Sequence, residues 1–295
     1  MPTLEVLGNK IDNAKDLHSV VKIMKSVSAV SIRQFEQAVE SLNIYSQTIE
    51  KGLRIMLQFQ TGSHPWLRGE KIKKWGSVVF GAQQGMCGQF NEVIVEYTRN
   101  QLLDLLPDIN QAHIIGMGPR IQGFLEQNEL PVEDIMPLPS SVQHIVKSVQ
   151  ELLLRLEKWI SRSNVEGIIL FYNEKQSGSA FKPGKLNLLP LDPVWIQSLR
   201  KQTWDSRTLP EFTMDWQKLF SRLIRQWFFI SLYRAFAESL ASENASRLAS
   251  MQAAEQNIQD YLADLRHKYN QQRQTEVTSE LLDIISGYEA LSQSK

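Results

Sequence analysis

The sequence has a single cysteine, Cys87. No disulfide can close within one chain, and a cysteine-based zinc site is excluded. Net charge is missing too: 32 Lys and Arg stand against 32 Asp and Glu. That balance leaves no basic excess of the kind that grips phosphate backbones, so no nucleic-acid partner is expected. No apolar run reaches the roughly 20 residues that a membrane-spanning helix needs. The N-terminus has neither a signal-peptide core nor an Arg- and Ser-rich transit character, so the mature chain is expected to start near Met1, in a cytoplasm. The five histidines, His18, His64, His113, His144 and His267, are scattered without metal-ligand spacing. No nucleophile elbow or paired-carboxylate motif is visible, so no catalytic residue, metal or cofactor is expected. At 295 residues, with 42% hydrophobic and 22% charged, the chain is globular rather than disordered.

Glycine and proline are scarce at both ends. Ten of the eleven prolines lie between Pro65 and Pro210, and thirteen of the fifteen glycines between Gly52 and Gly184. Residues 9–51 and 211–286 contain neither. Proline costs about 3 kcal/mol inside a helix and glycine about 1, so these stretches permit long helices. Periodicity supplies the positive signal. Apolar residues fall at Ala14, Leu17, Val21, Met24, Ile32, Phe35, Ala38, Leu42, Tyr45, Ile49, Leu53 and Met56, with Ser28 filling one slot. A second series runs through Leu223, Trp227, Ile230, Ala237, Leu240, Leu248, Met251, Ile258, Leu262, Leu265 and Tyr269, then Val277, Leu281, Ile284, Tyr288 and Leu291. Steps of three and four make a coiled-coil seam rather than the broad face of a short bundle helix.

Two lengths set the geometry. If the end helices pair antiparallel, residue 56 sits opposite about 215 and residue 10 opposite about 261. The second helix then overhangs the first by roughly 30 residues, about 45 Å at 1.5 Å per residue. Its apolar stripe continues along the overhang, so it needs a sleeve made by another protein. The polar break from Arg266 to Thr275 suits a ring of hydrogen-bonding contacts.

The middle reads as alternating strand and helix. Strands are expected at 76–81, 111–116 and 167–173, with helices at 90–106, 119–128 and 140–162. This is a small Rossmann-like α/β layer domain with a mostly parallel sheet. Residues 174–210 read as irregular, with a short strand around Leu186–Leu189. The resulting divisions are 1–58, 59–210 and 211–295. Gly81-Ala82-Gln83-Gln84-Gly85-Met86-Cys87-Gly88 lies where a phosphate loop would lie, after a strand and before a helix. It lacks the Gly-Lys-Ser/Thr ending, and Gly116-Met117-Gly118 is only a lone two-glycine turn. Cys87 reads as a small packed residue. On these residues alone, a coiled-coil adaptor and a nucleotide-binding α/β enzyme with helical arms both stay open.

Four segments carry a resemblance. They are Ala241-Ser242-Glu243-Asn244-Ala245-Ser246-Arg247-Leu248-Ala249-Ser250-Met251, the block from Tyr269 to Leu281, Gly85-Met86-Cys87-Gly88-Gln89-Phe90-Asn91, and Lys22-Ile23-Met24-Lys25-Ser26-Val27. Together they resemble the gamma subunit of F-type ATP synthases over the whole chain. The departures mark a divergent member. Gln83 and Gln84 stand where the family usually has Asp and Arg, Ser31 where it has a basic residue, and Leu248 follows Arg247 where Met is usual.

The resemblance implies a central-stalk rotor without a catalytic site of its own. Its partners are the alpha and beta subunits, the epsilon subunit and the membrane c ring, with protons or sodium ions as the coupling ion. The chain is then peripheral, at the cytoplasmic face of a bacterial inner membrane or at a thylakoid. Met24, Arg247, Arg273 and Gln274 match rotor–stator contacts. Gly85, Met86, Cys87, Gly88 and Glu211 are expected at the foot, against the ring or epsilon.

Overall fold

The computed structural model describes residues 3–58, 72, 74–176, 178, 180–201, 208 and 210–293, with side chains as far as residue 286. The sequence boundary near residue 59 and the side chains of Tyr288 and Leu291 lie outside that set. The order of elements is α1 (Leu4–Gln58), β1 (Trp75–Phe80), α2 (Phe90–Leu105), β2 (His113–Met117), α3 (Gln122–Gln127), β3 (Val132–Met136), α4 (Val142–Lys158), β4 (Gly167–Lys175), β5 (Phe181–Leu189), α5 (Pro193–Lys201) and α6 (Trp216–Gln293). A π-helical turn, Trp159–Ser163, follows α4. The two end helices run for 55 and 78 residues, as the breaker-free ends predict.

Burial along α1 is stricter than the apolar pattern. Leu7, Ile11, Ala14, Val21, Ser28, Ile32 and Phe35 are buried, and His18 and Lys25 are half-buried between them. The steps alternate four and three, the heptad spacing of a supercoiled seam. Leu17 and Tyr45, assigned to the seam by hydrophobicity, are 59% and 42% exposed. His18 and Ser46 hold their slots. Position along the helix decides burial here, and side-chain type follows less closely.

The chain sorts into two compact units. One comprises residues 1–27 and 248–295. Leu7, Ile11 and Ala14 of α1 pack with Leu262 and Leu265 of α6, flanked by Ile258 and Tyr269. Lys25 donates a hydrogen bond to the Glu255 carboxylate, and His18 lies 3.8 Å from its other oxygen. Past Tyr269 the apolar stripe lies open among the described residues: Val277, Leu281 and Ile284 are 48%, 55% and 69% exposed.

The other unit comprises residues 28–247. Its five-stranded sheet has the order β3-β2-β1-β4-β5. All neighbours are parallel except β4 and β5. Strand β1 is buried along its whole length, as a short apolar run covered on both faces must be. One face packs on α1, α4 and α6 through Phe35, Leu53, Phe80, Leu170, Leu152 and Phe236. The other packs on α2 and α3 through Val79, Ile114, Phe171, Ile94 and Leu125. The helices pair antiparallel close to the register read from sequence. Tyr45 donates to Gln226 at 2.9 Å, and the Trp216 indole donates to the Met56 carbonyl at 3.1 Å.

Two elements, β3 and α5, escaped the sequence reading, and a third, β5, is longer than expected. Strand β3 carries Glu133 and Asp134 on a half-exposed edge, so it has no apolar run. Strand β5 extends the short strand expected around Leu186–Leu189 back to Phe181, through Pro183 and Gly184; an edge strand tolerates both. Helix α5 begins with Pro193 at its first position, and Asp192 accepts a hydrogen bond from the Val194 N–H at 2.8 Å. That is an ordinary helix start, Asp cap then Pro, hidden inside a Pro-rich segment. Among the described residues, no helix is long and apolar enough to cross a membrane.

Phe236 is fully buried and meets Phe80 edge-on, with ring centroids 5.0 Å apart. Truncating such a ring costs about 3–5 kcal/mol. Phe236→Ala is therefore expected to shift the urea midpoint of the full-length chain sharply downward at unchanged slope.

Candidate functional site

Helix α6 changes character before it leaves the unit that holds the sheet. Every residue from Ser239 to Arg247 is buried. A coiled-coil seam buries one stripe; here the helix is enclosed all round, polar side chains included. Burying polar groups costs free energy unless each is paired. Most of these pairings lead to one place, the loop 81–88 between β1 and α2.

Glu243 is 2% exposed. Its two carboxylate oxygens accept from the backbone N–H groups of Gln83 and Gln84, at 3.1 and 3.2 Å. Arg247 is 4% exposed. Its guanidinium donates to the carbonyls of Gly85 at 3.2 Å and Gln84 at 3.1 Å, to Asn244, and to Glu243. The Ser246 hydroxyl donates to the Cys87 carbonyl at 2.6 Å, and Ser242 to the Asn173 carbonyl on β4 at 2.8 Å. From the sheet side, Asn91 accepts from the Ala82 N–H at 2.8 Å, and Asn173 donates to the Phe90 carbonyl at 3.0 Å. Gln83 spends its side-chain oxygen on the Leu138 N–H at 2.9 Å.

The loop is shaped to be held this way. Gly88 has φ of 56°, in the left-handed region open to glycine. A Cβ on Gly81 would come within 2.4 Å of Ile121, so only glycine lets the strand end pass α3. Met86 also has positive φ, 59°, uncommon for a side chain of its size. It is 61% exposed, so the strained turn displays an apolar group. Cys87 points inward among Ala82 and Phe90, and its thiol donates to the Gln84 carbonyl at 3.7 Å. Burial pushes its pKa up, and the Glu243 charge adds to that while Arg247 opposes it. The thiol stays protonated and packs.

The resemblance assigns Arg247 to a stator contact and Gly85, Met86, Cys87 and Gly88 to a foot contact. In the structure they meet in one cluster. Met24 is half-buried on α1 in the other unit, and Arg273 and Gln274 are exposed on α6 there. Glu211 is exposed ahead of α6. Sequence reasoning missed Glu243, Ser242, Ser246, Asn91 and Asn173. The available signal was a charged pair four residues apart, Glu243 and Arg247, inside a run of small residues with no polar face to carry it. Among the described residues, no group of three His, Cys, Asp or Glu side chains could hold a metal ion.

A family model described as ATP synthase matches residues 3–291. The ATP synthase gamma chain of Anaeromyxobacter sp. is 27% identical over 297 residues, covering 99% of this chain and 100% of that one. The gamma chain of Pasteurella multocida is 27% identical, covering 97% and 98%. The chain belongs to the ATP synthase gamma family. As a gamma chain it is a non-catalytic, central-stalk subunit of an F-type ATP synthase. The gamma fold extends to distant structures. A chain of the rotor of the Euglena gracilis mitochondrial ATP synthase superposes with a TM-score of 0.63 at 16% identity, covering 93% of this chain and 98% of that one. One from the central stalk and c ring of the Tetrahymena thermophila enzyme gives 0.55 at 16% identity, covering 80% and 99%.

One turn before the clamp that Glu243 and Arg247 form on the loop, Glu238 of this gamma chain accepts a hydrogen bond from Tyr172 on β4. Burial raises the Glu238 pKa above its ordinary value; Arg234 opposes this and Glu174 reinforces it. The folded state therefore holds this proton more tightly than the unfolded chain. The associated stability is complete below the unfolded value near 4.5 and is lost as pH rises through the raised folded value. Glu238→Gln is expected to flatten that decline, leaving the variant more stable than the parent at neutral pH and matched to it in acid. Urea melts across the range check both ends.

Proposed function

We propose that this gamma chain turns within an alpha–beta hexamer and couples ion flow through a membrane c ring to the beta-subunit catalytic sites. One observation carries the reading: the end of α6 past Tyr269 keeps an apolar stripe that nothing among the described residues covers. Isolated helices of this kind are marginal in water, and tertiary packing supplies most helical stability. A ring-shaped bore with an apolar lining supplies that packing and still permits rotation, because a sleeve needs no fixed partner residue. The shaft presents different side chains on different faces, so each beta subunit meets a different surface in turn. Two distant sites are then coupled through one stiff element.

Arg273 and Gln274 are the proposed contacts with a beta-subunit loop. Both are exposed, and their side chains make no hydrogen bond or ion pair among the described residues. Met24 is the proposed contact with the beta lever. Arg247 acts on the same coupling through the loop that it holds. Gly85, Met86, Cys87, Gly88 and Glu211 belong to the foot contact with epsilon or the ring; of the loop residues, Met86 offers the apolar anchor. The chain then sits peripherally at the cytoplasmic face of a bacterial inner membrane, or at a thylakoid, with protons or sodium ions as the driving ion.

Arg273→Ala is expected to lower coupled ATP synthesis in reconstituted vesicles while circular dichroism of the isolated chain stays unchanged. A charge-assisted hydrogen bond is worth about 1.5–3 kcal/mol, enough to slow turnover visibly. Synthesis at the parental rate would count against the contact.

A further inference from the structure

In doubly wound sheets a ligand binds outside the carboxyl ends of the strands, where the strand order reverses. In this sheet the reversal lies between β1 and β4. The loop leaving β1 ends in the start of α2, the usual place for a bound phosphate. That crevice is full. Helix α6 crosses it, with Ser242 bonded to Asn173 of β4, Glu243 to the N–H groups of Gln83 and Gln84, and Ser246 and Arg247 to the far side of the loop. Two consecutive N–H groups converging on one carboxylate form an anion-binding nest. The anion in it is supplied by the chain itself.

We infer that Glu243 is the resident anion of the switch-point crevice, and a positioning residue that locks the sheet to α6. Its bond is that of a ligand to a site rather than of core to core: directional, charge-assisted and specific for a carboxylate. Arg247 closes it by pairing with the same carboxylate and gripping the loop carbonyls. The consequence for coupling rests on the rotor reading above. Torque entering at the sheet reaches α6 through this joint, which adds directional, charge-assisted bonds to the apolar packing around Phe236.

The test uses Glu243→Ala in the full-length chain and in the reconstituted complex. Loss of hydrogen bonds to a charged group is expected to lower the melting temperature of the isolated chain by about 5–10 °C. Replacing chloride by acetate or formate at equal ionic strength is expected to recover part of that loss in the variant and to leave the parent unchanged. A response of parent and variant alike would overturn the resident-anion assignment. In vesicles, ions pumped per ATP hydrolysed are expected to fall for Glu243→Ala and to recover in acetate, whereas the Arg273→Ala defect stays insensitive to it. Anion rescue of melting with parental coupling throughout would overturn the joint. A parental complex that hydrolyses ATP without pumping would instead count against the rotor reading, leaving the melting result in support of the resident anion.

Discussion

The buried Glu243–Arg247 pair sets a constraint that the surrounding structure has to satisfy. Two charges removed from water cost several kcal/mol each unless geometry and hydrogen bonding compensate. Here the compensation comes from the loop: two N–H groups for the carboxylate, two carbonyls for the guanidinium. The loop must then hold a fixed shape, which needs positive φ at Met86 and Gly88. It must also stay at a fixed distance from β4, which Asn91, Asn173 and Ser242 set. Breaking such a pair costs about 3–5 kcal/mol, against a total stability of about 5–15 kcal/mol for a domain. The clamp is therefore a large share of what keeps α6 seated on the sheet.

Polar residues in apolar places recur along the long helices. Ser28 is 1% exposed in the α1 seam, and His18 holds a seam slot facing Glu255. A polar side chain at a seam position lowers stability but penalises every other register, because a shifted partner leaves it unpaired. A shaft that carries load gains more from a single register than from maximal stability. Glu255 makes the point within its own unit: its hydrogen bond to Lys25, with the nearby charges of His18 and Lys22, holds its pKa below the usual carboxylate range.

The architecture was legible where one physical cause dominates. Missing glycine and proline announced the two long helices, heptad steps announced their pairing, and buried apolar runs announced β1, β2 and β4. Legibility failed where two causes compete. Strand β3 and the first half of β5 lie at sheet edges, so solvent admits acids and proline, and the apolar signal disappears there. Leu17 was read into the seam because it is hydrophobic, although its position on the helix faces away. The clamp was illegible for a further reason. Ser242, Glu243, Ser246 and Arg247 belong to a segment that carries the family resemblance, yet their chemistry depends on a loop about 160 residues earlier. Periodicity describes one helix against an average neighbour; it has no term for a particular distant backbone.

The uncovered end of α6 also bears on how many copies a cell can keep. Helical segments without tertiary packing open readily, and open segments are what proteases cut. Val277, Leu281, Leu282, Ile284 and Ile285 present such a segment, with apolar side chains for a chaperone or another chain to seize. A surplus molecule is therefore expected to be degraded faster than one whose stripe is covered. Differential lifetime of that kind would hold the number of free copies down after synthesis.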